Sequence, residues 1–186
     1  MDNLERERVL RYLADSRDML LSAADGLSAE QRCFRAAEDR WSVADCIEHL
    51  SVVENFILTT IERMLAEAPG AEKPDTGGKD EAVLTKVPGR GVRVKGPAAV
   101  MPTGRWPDFE ELLGVFESTR ERTVAFAGAT QADLRAVAFP HPILGPLDGY
   151  QWLLFLAAHC ERHVKQMEEV KSDPAFPTTA VGSAWA

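Results

Sequence analysis

Cysteine is scarce. The 186-residue chain has three, Cys33, Cys46 and Cys160, with no CxxC spacing; this argues against a disulfide framework and a thiolate zinc site, and leaves reduced thiols as the expectation. Positive charge is also in deficit: 21 Lys and Arg stand against 29 Asp and Glu, a net charge of −8, the wrong sign for a protein that grips a phosphate backbone. A nucleic-acid partner is therefore not expected. Long apolar runs are missing too, and Met1 to Arg8 are highly charged where a secretory leader would be apolar. The expectation is a soluble, cytoplasmic protein without a membrane partner. No repeat period stands out, and a composition of 45% hydrophobic and 27% charged residues suits one ordinary globular domain rather than a disordered chain or a coiled-coil rod.

What the chain does have is helical periodicity. Leu10, Leu13, Leu20, Leu21, Ala24 and Leu27 recur at helical spacing and predict a first amphipathic helix over 4–27. Ser28-Ala29-Glu30-Gln31 has the form of a capping box and predicts one short turn. Ser42-Val43-Ala44-Asp45 opens a second long helix that runs to about Ala68, where Pro69-Gly70 ends it. On it Val43, Ile47, Leu50, Ile57, Ile61 and Met64 form the apolar face, and Asp45, Glu48, Asn55 and Glu62 the polar one. A third helix is expected over 108–127, with Phe109, Leu112, Phe116, Thr123 and Phe126 inward. Thr130-Gln131-Ala132-Asp133 predicts another single turn, and Asp148-Gly149-Tyr150-Gln151 opens a last helix to about Val170. No strand pair announces itself. The fold class is therefore all-α, a four-helix bundle over 1–171 followed by an extended tail, 172–186.

Between the second and third long helices lies a Pro/Gly-rich connection, residues 69–107, long enough to span the bundle, so that these helices need not be antiparallel neighbours. It carries seven basic residues (Lys73, Lys79, Lys86, Arg90, Arg93, Lys95, Arg105) against four acidic ones (Glu72, Asp75, Asp80, Glu81). Such a segment is a solvated crossover, or else a flap that attracts an anionic substrate.

The last helix replaces core residues with histidine. Its inward stripe reads Trp152, Leu156, His159, His163 and Val170, while Glu161, Lys165 and Glu168 mark the opposite face. Residues four apart on one helix face can ligate a single ion. One buried histidine is readily satisfied by a carbonyl or water, but two adjacent ones cannot both be charged, and a shared cation removes the difficulty. His49, beside Ile47 and Leu50 and on the flank of Val53 and Phe56, can face the same interior as a third ligand. Gln166, three residues beyond His163, either orients a ligand or bound water or is a helix-packing amide. Glu161 is two residues from His159, about 200° around the helix, and points away; Glu48 reads as a solvated flank residue, Cys160 as a buried structural thiol, and His141, between prolines, as surface.

Trp41-Ser42-Val43-Ala44-Asp45-Cys46-Ile47-Glu48-His49-Leu50, together with His159-Cys160-Glu161-Arg162-His163-Val164-Lys165-Gln166, resembles the DinB-like, or YfiT-like, superfamily of metal-dependent four-helix proteins. The resemblance runs from the first helix to the last. It implies that His49, His159 and His163 bind a divalent metal, nickel or zinc first, manganese or iron next. It also implies a small-molecule substrate: relatives include thiol S-transferases and proteins named as hydrolases. Three neutral ligands leave an open coordination position, which suggests catalysis. The leading expectation is transfer of a low-molecular-weight thiol to a small electrophile, with Arg120 and the basic connection holding its carboxylates. Metal-assisted hydrolysis is the alternative, and a non-catalytic metal-binding or homodimerising bundle is a third; a metal-free histidine core would instead tolerate His49→Leu.

Overall fold

The computed structural model describes residues 1–67, 74–91 and 96–178. Pro69-Gly70 and the basic residues Lys73, Arg93 and Lys95 lie outside the described residues, as does the tail from 179 onward. The helices are α1 (Asn3–Ala24), α2 (Ala29–Cys33), α3 (Val43–Glu67), α4 (Asp80–Lys86), α5 (Phe109–Ala129) and α6 (Gly149–Lys171). Their starts follow the capping signals. Asp2, Ser28 and Asp148 each close a reciprocal box with the residue three positions on, and Ser42 and Asp45 do the same at the head of α3.

Four long helices make the bundle. α1 packs on α6 and α5, and α3 packs on α5 and α6. One half of the core gathers Val9 and Leu13 of α1, Val53, Ile57 and Ile61 of α3, Ala127 of α5 and residues 152–158 of α6. The other gathers Leu20 and Ala23 of α1, Val43 to Leu50 of α3, Leu112 and Phe116 of α5, and Val164, Met167 and Val170 of α6. The two ends of each helix fall into opposite halves, so α3 and α5 run parallel to each other and antiparallel to α1 and α6. Parallel neighbours need a connection as long as the bundle. Residues 68–108 supply it, a length that left the antiparallel arrangement unrequired.

The connection is more structured than a solvated crossover. α4 lies on α6 with Val83 fully buried, and a short 3-10 turn, Ala98–Val100, lies on α3. Glu48, expected in solvent, is only 3% exposed. It accepts from the backbone N–H groups of Thr103, Gly104 and Arg105 and from the Arg105 guanidinium. Burial pushes its carboxyl up, but these donors outweigh burial and hold it below the usual carboxylate range. Its position next to His49 on a buried turn is the reason: the returning connection covers that side of α3.

A β-hairpin breaks the all-helical expectation locally. β1 (Ala138–His141) pairs antiparallel with β2 (Gly145–Asp148), Ala138 opposite Asp148 and His141 opposite Gly145. Prolines disguise it in sequence. Pro140 and Pro146 face each other, so the two missing N–H donors fall at one rung of the ladder. Gly145 has φ +70°, which the three-residue loop requires. At Gly149, the first residue of α6, a Cβ would come within 2.7 Å of the Leu134 carbonyl; the turn that precedes the hairpin and the start of α6 meet too closely for any other residue.

The predicted turn at 130–133 falls slightly later, at Leu134–Ala136, with Asp133 as its cap. The buried stripe of α1 is also rotated, with Val9, Leu13, Ser16, Leu20 and Ala23 inward while Leu10 and Leu21 lie at its edge. Residues 172–178 leave α6 and turn back onto α2: Phe176 meets Phe34 edge-on at 5.4 Å, and Gln31 donates to the Pro177 carbonyl at 2.8 Å. No helix among the described residues is long and apolar enough to cross a membrane.

At the far end of the bundle Arg135 joins Glu5, Asp80 and Asp148 and lies over the Tyr150 ring. Burial raises the Asp80 carboxyl, but hydrogen bonds from Arg135 and Gln151 win and hold it below its ordinary value. A carboxyl depressed in the folded state contributes stability above its unfolded pKa and loses it as pH falls through the folded value. The melting temperature is therefore expected to drop from about pH 4 downward. Arg135→Gln should lower it at neutral pH and flatten that acid slope; a slope unchanged in the variant would contradict the assignment.

Candidate metal centre

The site forms where the middle of α6 faces the first turns of α3. Three signals in the sequence place its side chains. The box of Ser42 and Asp45 starts α3 so that His49 falls one and a half turns in, on the side toward α6. Arg35 pins that start from outside, donating twice to Asp45 at 2.8 Å. On α6 the four-residue step puts His159 and His163 on one face. Their Nε2 atoms are 3.1 Å apart.

The three expected ligands do come together. One nitrogen from each of His49, His159 and His163 can be chosen so that all three lie within 4.8 Å of one another. The His49 ring centroid is 5.1 Å from that of His159 and 4.8 Å from that of His163. Tetrahedral ligands at zinc–nitrogen distances stand about 3.3 Å apart, close to the 3.1 Å between the His159 and His163 Nε2 atoms. His49 and His163 are each 6% exposed; His159 is the most open of the three.

The outer nitrogens of His49 and His163 face acceptors. His49 Nδ1 is 2.7 Å from the Val100 carbonyl, which only accepts, so Nδ1 carries the proton and Nε2 is left with a free lone pair. His163 Nδ1 is 3.1 Å from Gln166 Oε1. Backing each ligand with an acceptor on the opposite nitrogen is the arrangement that metal-bound histidines adopt. Burial drives all three imidazoles toward the neutral form, most strongly His159 and His163, and the neighbouring rings add to the effect. Two imidazole nitrogens 3.1 Å apart need a proton or a cation between their lone pairs, and the donor set fits a borderline divalent ion.

Aromatic walls hold the rings. Trp41 stacks on His163 at 5.6 Å and leans on His49 at 4.8 Å. Phe155, one turn before His159, stacks on that imidazole at 4.9 Å. The wall continues through Trp152 to Phe139 on the hairpin, stacked at 4.3 Å. His141, expected at the surface, packs against Phe155 at 4.9 Å. Its Nδ1 accepts from the Ile143 and Leu144 N–H groups, so it shapes the hairpin loop and stands outside the ligand set.

Arg120 is not at this site. It is the largest fully buried side chain of the core. Its Nε and Nη2 donate to the two oxygens of Glu54 at 2.8 Å, and Nη1 to Leu13 O and Ser16 Oγ. Nothing remains with which to hold a substrate carboxylate, because the α5 stripe carries Arg120 one turn after Phe116 straight into the core. Cys160, adjacent to His159 but rotated away, donates to the Ser16 carbonyl, and burial pushes its thiol up to about 11. It is the inert thiol the sequence suggested. Glu161 is taken by Lys165 at 2.7 Å.

The contacts missed by sequence reasoning come from the connection. Periodicity cannot position Val100 or Arg90, whose contacts with α3 and α6 arise only when the crossover folds back. The surplus of basic residues around Arg90 was the one available signal.

Comparison with known proteins agrees with the helical-bundle fold. Residues 12–167 match the DinB superfamily. The chain is similar to the uncharacterized protein YuaE of Bacillus subtilis (strain 168), with 26% identity over 147 residues, 78% of this chain and 86% of that protein. Among solved structures it resembles YfiT from Bacillus subtilis, described as a probable metal-dependent hydrolase with an unusual four-helix bundle topology. The TM-score is 0.57 at 15% identity, over 92% of this chain and 88% of the other.

Proposed function

This chain belongs to the DinB superfamily, and on that premise we propose that it is a divalent-metal-dependent enzyme acting on a small molecule through His49, His159 and His163. The observation that carries the reading is the convergence of three imidazoles at the seam of α3 and α6, all driven toward the neutral form and two of them, His49 and His163, backed by acceptors. Zinc and nickel suit an all-imidazole set best, with iron or manganese as alternatives. A divalent ion held there supplies Lewis acidity and lowers the pKa of the water or thiol that takes its open position.

The chain's own residues then divide the work. His159, the most open ligand, lies at the side from which a substrate enters. Phe155 and Trp41 keep the imidazoles oriented and exclude water from their faces. Hydrolysis is the reaction that the name given to the YfiT protein supports. Transfer of a low-molecular-weight thiol is favoured by a different observation. The carboxylates next to the ligands, Glu48 and Glu161, are engaged elsewhere, and a thiol needs less help from a separate base than water does.

One experiment separates them. Metal-loaded protein is assayed for loss of a chloro-dinitrobenzene-type electrophile with and without cellular thiols, and against ester and amide substrates without thiol. Thiol-dependent turnover that disappears with His159→Ala supports transfer; thiol-independent cleavage with the same dependence supports hydrolysis. If neither is seen, and azide or thiol leaves the spectrum of cobalt-substituted protein unchanged, the site is closed and the enzyme reading falls. Homodimerisation is a further expectation, and sedimentation of the same sample tests it.

A further inference from the structure

We propose that Arg90 is a positioning residue that decides which nitrogen of His163 is free to bind a metal. The chain of reasoning starts at the guanidinium, which can only donate. Arg90 Nη1 is 2.9 Å from the side-chain amide of Gln166, so the atom it meets must be the carbonyl oxygen, Oε1. The same oxygen is 3.1 Å from His163 Nδ1. An oxygen with a donor already on one lone pair accepts a second one from Nδ1–H. The proton of His163 therefore sits on Nδ1, and Nε2 presents its lone pair to His49 and His159.

Without Arg90 the amide has no reason to keep that face. Turned over, its NH₂ group would donate to a bare Nδ1 and the imidazole proton would move to Nε2. In the metal-free protein that alternative is attractive, because Nε2–H would then point at His159 Nε2, 3.1 Å away. It is also the tautomer that blocks Nε2 from ligating a metal. Arg90 is itself held, with Nε and Nη2 on the two oxygens of Glu169 at 3.1 and 2.8 Å, one helical turn after Gln166. The crossover that brings Arg90 to α6 also brings the Val100 carbonyl to His49, so the connection sets the tautomer of two of the three ligands.

The inference rests on reading His163 as a ligand, and its first test is made without metal. Long-range nitrogen–proton NMR of metal-free protein assigns the tautomer of His163. The wild type should hold the proton on Nδ1. Arg90→Met, which keeps the apolar stem and removes the donors, should shift a substantial fraction to Nε2, and Arg90→Lys should recover much of the wild-type state. In a Gln166→Glu background both side-chain oxygens accept whichever way the group turns, so Arg90→Met should leave the tautomer on Nδ1. Zinc or cobalt affinity, measured by chelator competition, should weaken about 10- to 100-fold in Arg90→Met and by less in Arg90→Lys. A His163 that keeps Nδ1–H in Arg90→Met, or that shifts equally in the Gln166→Glu background, would overturn the proposal. The expected tautomer pattern in a protein that binds no zinc would uphold the relay and sink the metal reading instead.

Discussion

His49→Ala and His159→Ala are each expected to cost the protein its metal. Wild-type protein purified without a nickel column and reconstituted with zinc should carry close to one ion per chain, and each variant should lose it after a chelator wash. The magnitude follows from the donor set. Four-ligand structural zinc sites bind with about 10–16 kcal/mol, so one ligand is worth on the order of 2.5–4 kcal/mol, a loss of about 10²- to 10³-fold in affinity. Folding should survive, because α3 and α6 are held along their length by Val43, Ile47, Leu50, Leu153, Leu156 and Val164, all buried, rather than by the ion alone. The opposite result is equally readable. If neither wild type nor variants take up zinc, nickel or manganese, and His49→Leu raises the melting temperature, the imidazoles are core residues and the enzyme reading must be abandoned.

The convergence of His49, His159 and His163 was legible in the sequence because its signal is local. A four-residue step on one helix, a capping box that phases the other, and apolar neighbours on the same face are all short-range patterns, and each survives folding unchanged. The four long helices were legible for the same reason. Three features were not. The hairpin at 138–148 hides behind three prolines, which argue against a strand unless two of them share a rung. Glu48 looks solvated on a helical wheel; only the return of residues 103–105 buries it. The expectation that Arg120 holds a substrate carboxylate rests on its charge alone. Its partner Glu54 is 66 residues away on another helix. Long-range pairing of polar groups is what periodicity leaves out, and it is also what relocates these residues from site to scaffold.

The Arg120–Glu54 pair yields the second large effect. Arg120 and Glu54 are 0% and 2% exposed, and the guanidinium satisfies Leu13 O and Ser16 Oγ as well as both carboxylate oxygens. Burial lowers the affinity of the guanidinium for its proton, and Glu54 more than reverses this, so Arg120 stays charged. Removing one partner leaves the other charge dry and unpaired, at a cost of about 3–5 kcal/mol. Arg120→Met should therefore lower the melting temperature by roughly 6–20 °C in a chain of this size. The double variant Glu54→Leu with Arg120→Met removes both charges and keeps the volume, so it should recover most of that loss, since a hydrophobic replacement of a buried pair is often neutral. The Leu13 carbonyl keeps the Ser16 hydroxyl as a donor, and what is lost is the Arg120 donation to the Ser16 oxygen, at a cost on the order of 1–3 kcal/mol at most. Metal content and affinity separate the structural role from the substrate role. If Arg120 belongs to the scaffold, the folded double variant binds zinc as the wild type does and keeps its KM. A double variant that is stable and metal-loaded but shows a KM raised tenfold or more would return Arg120 to the substrate, and would require the pair to open during turnover.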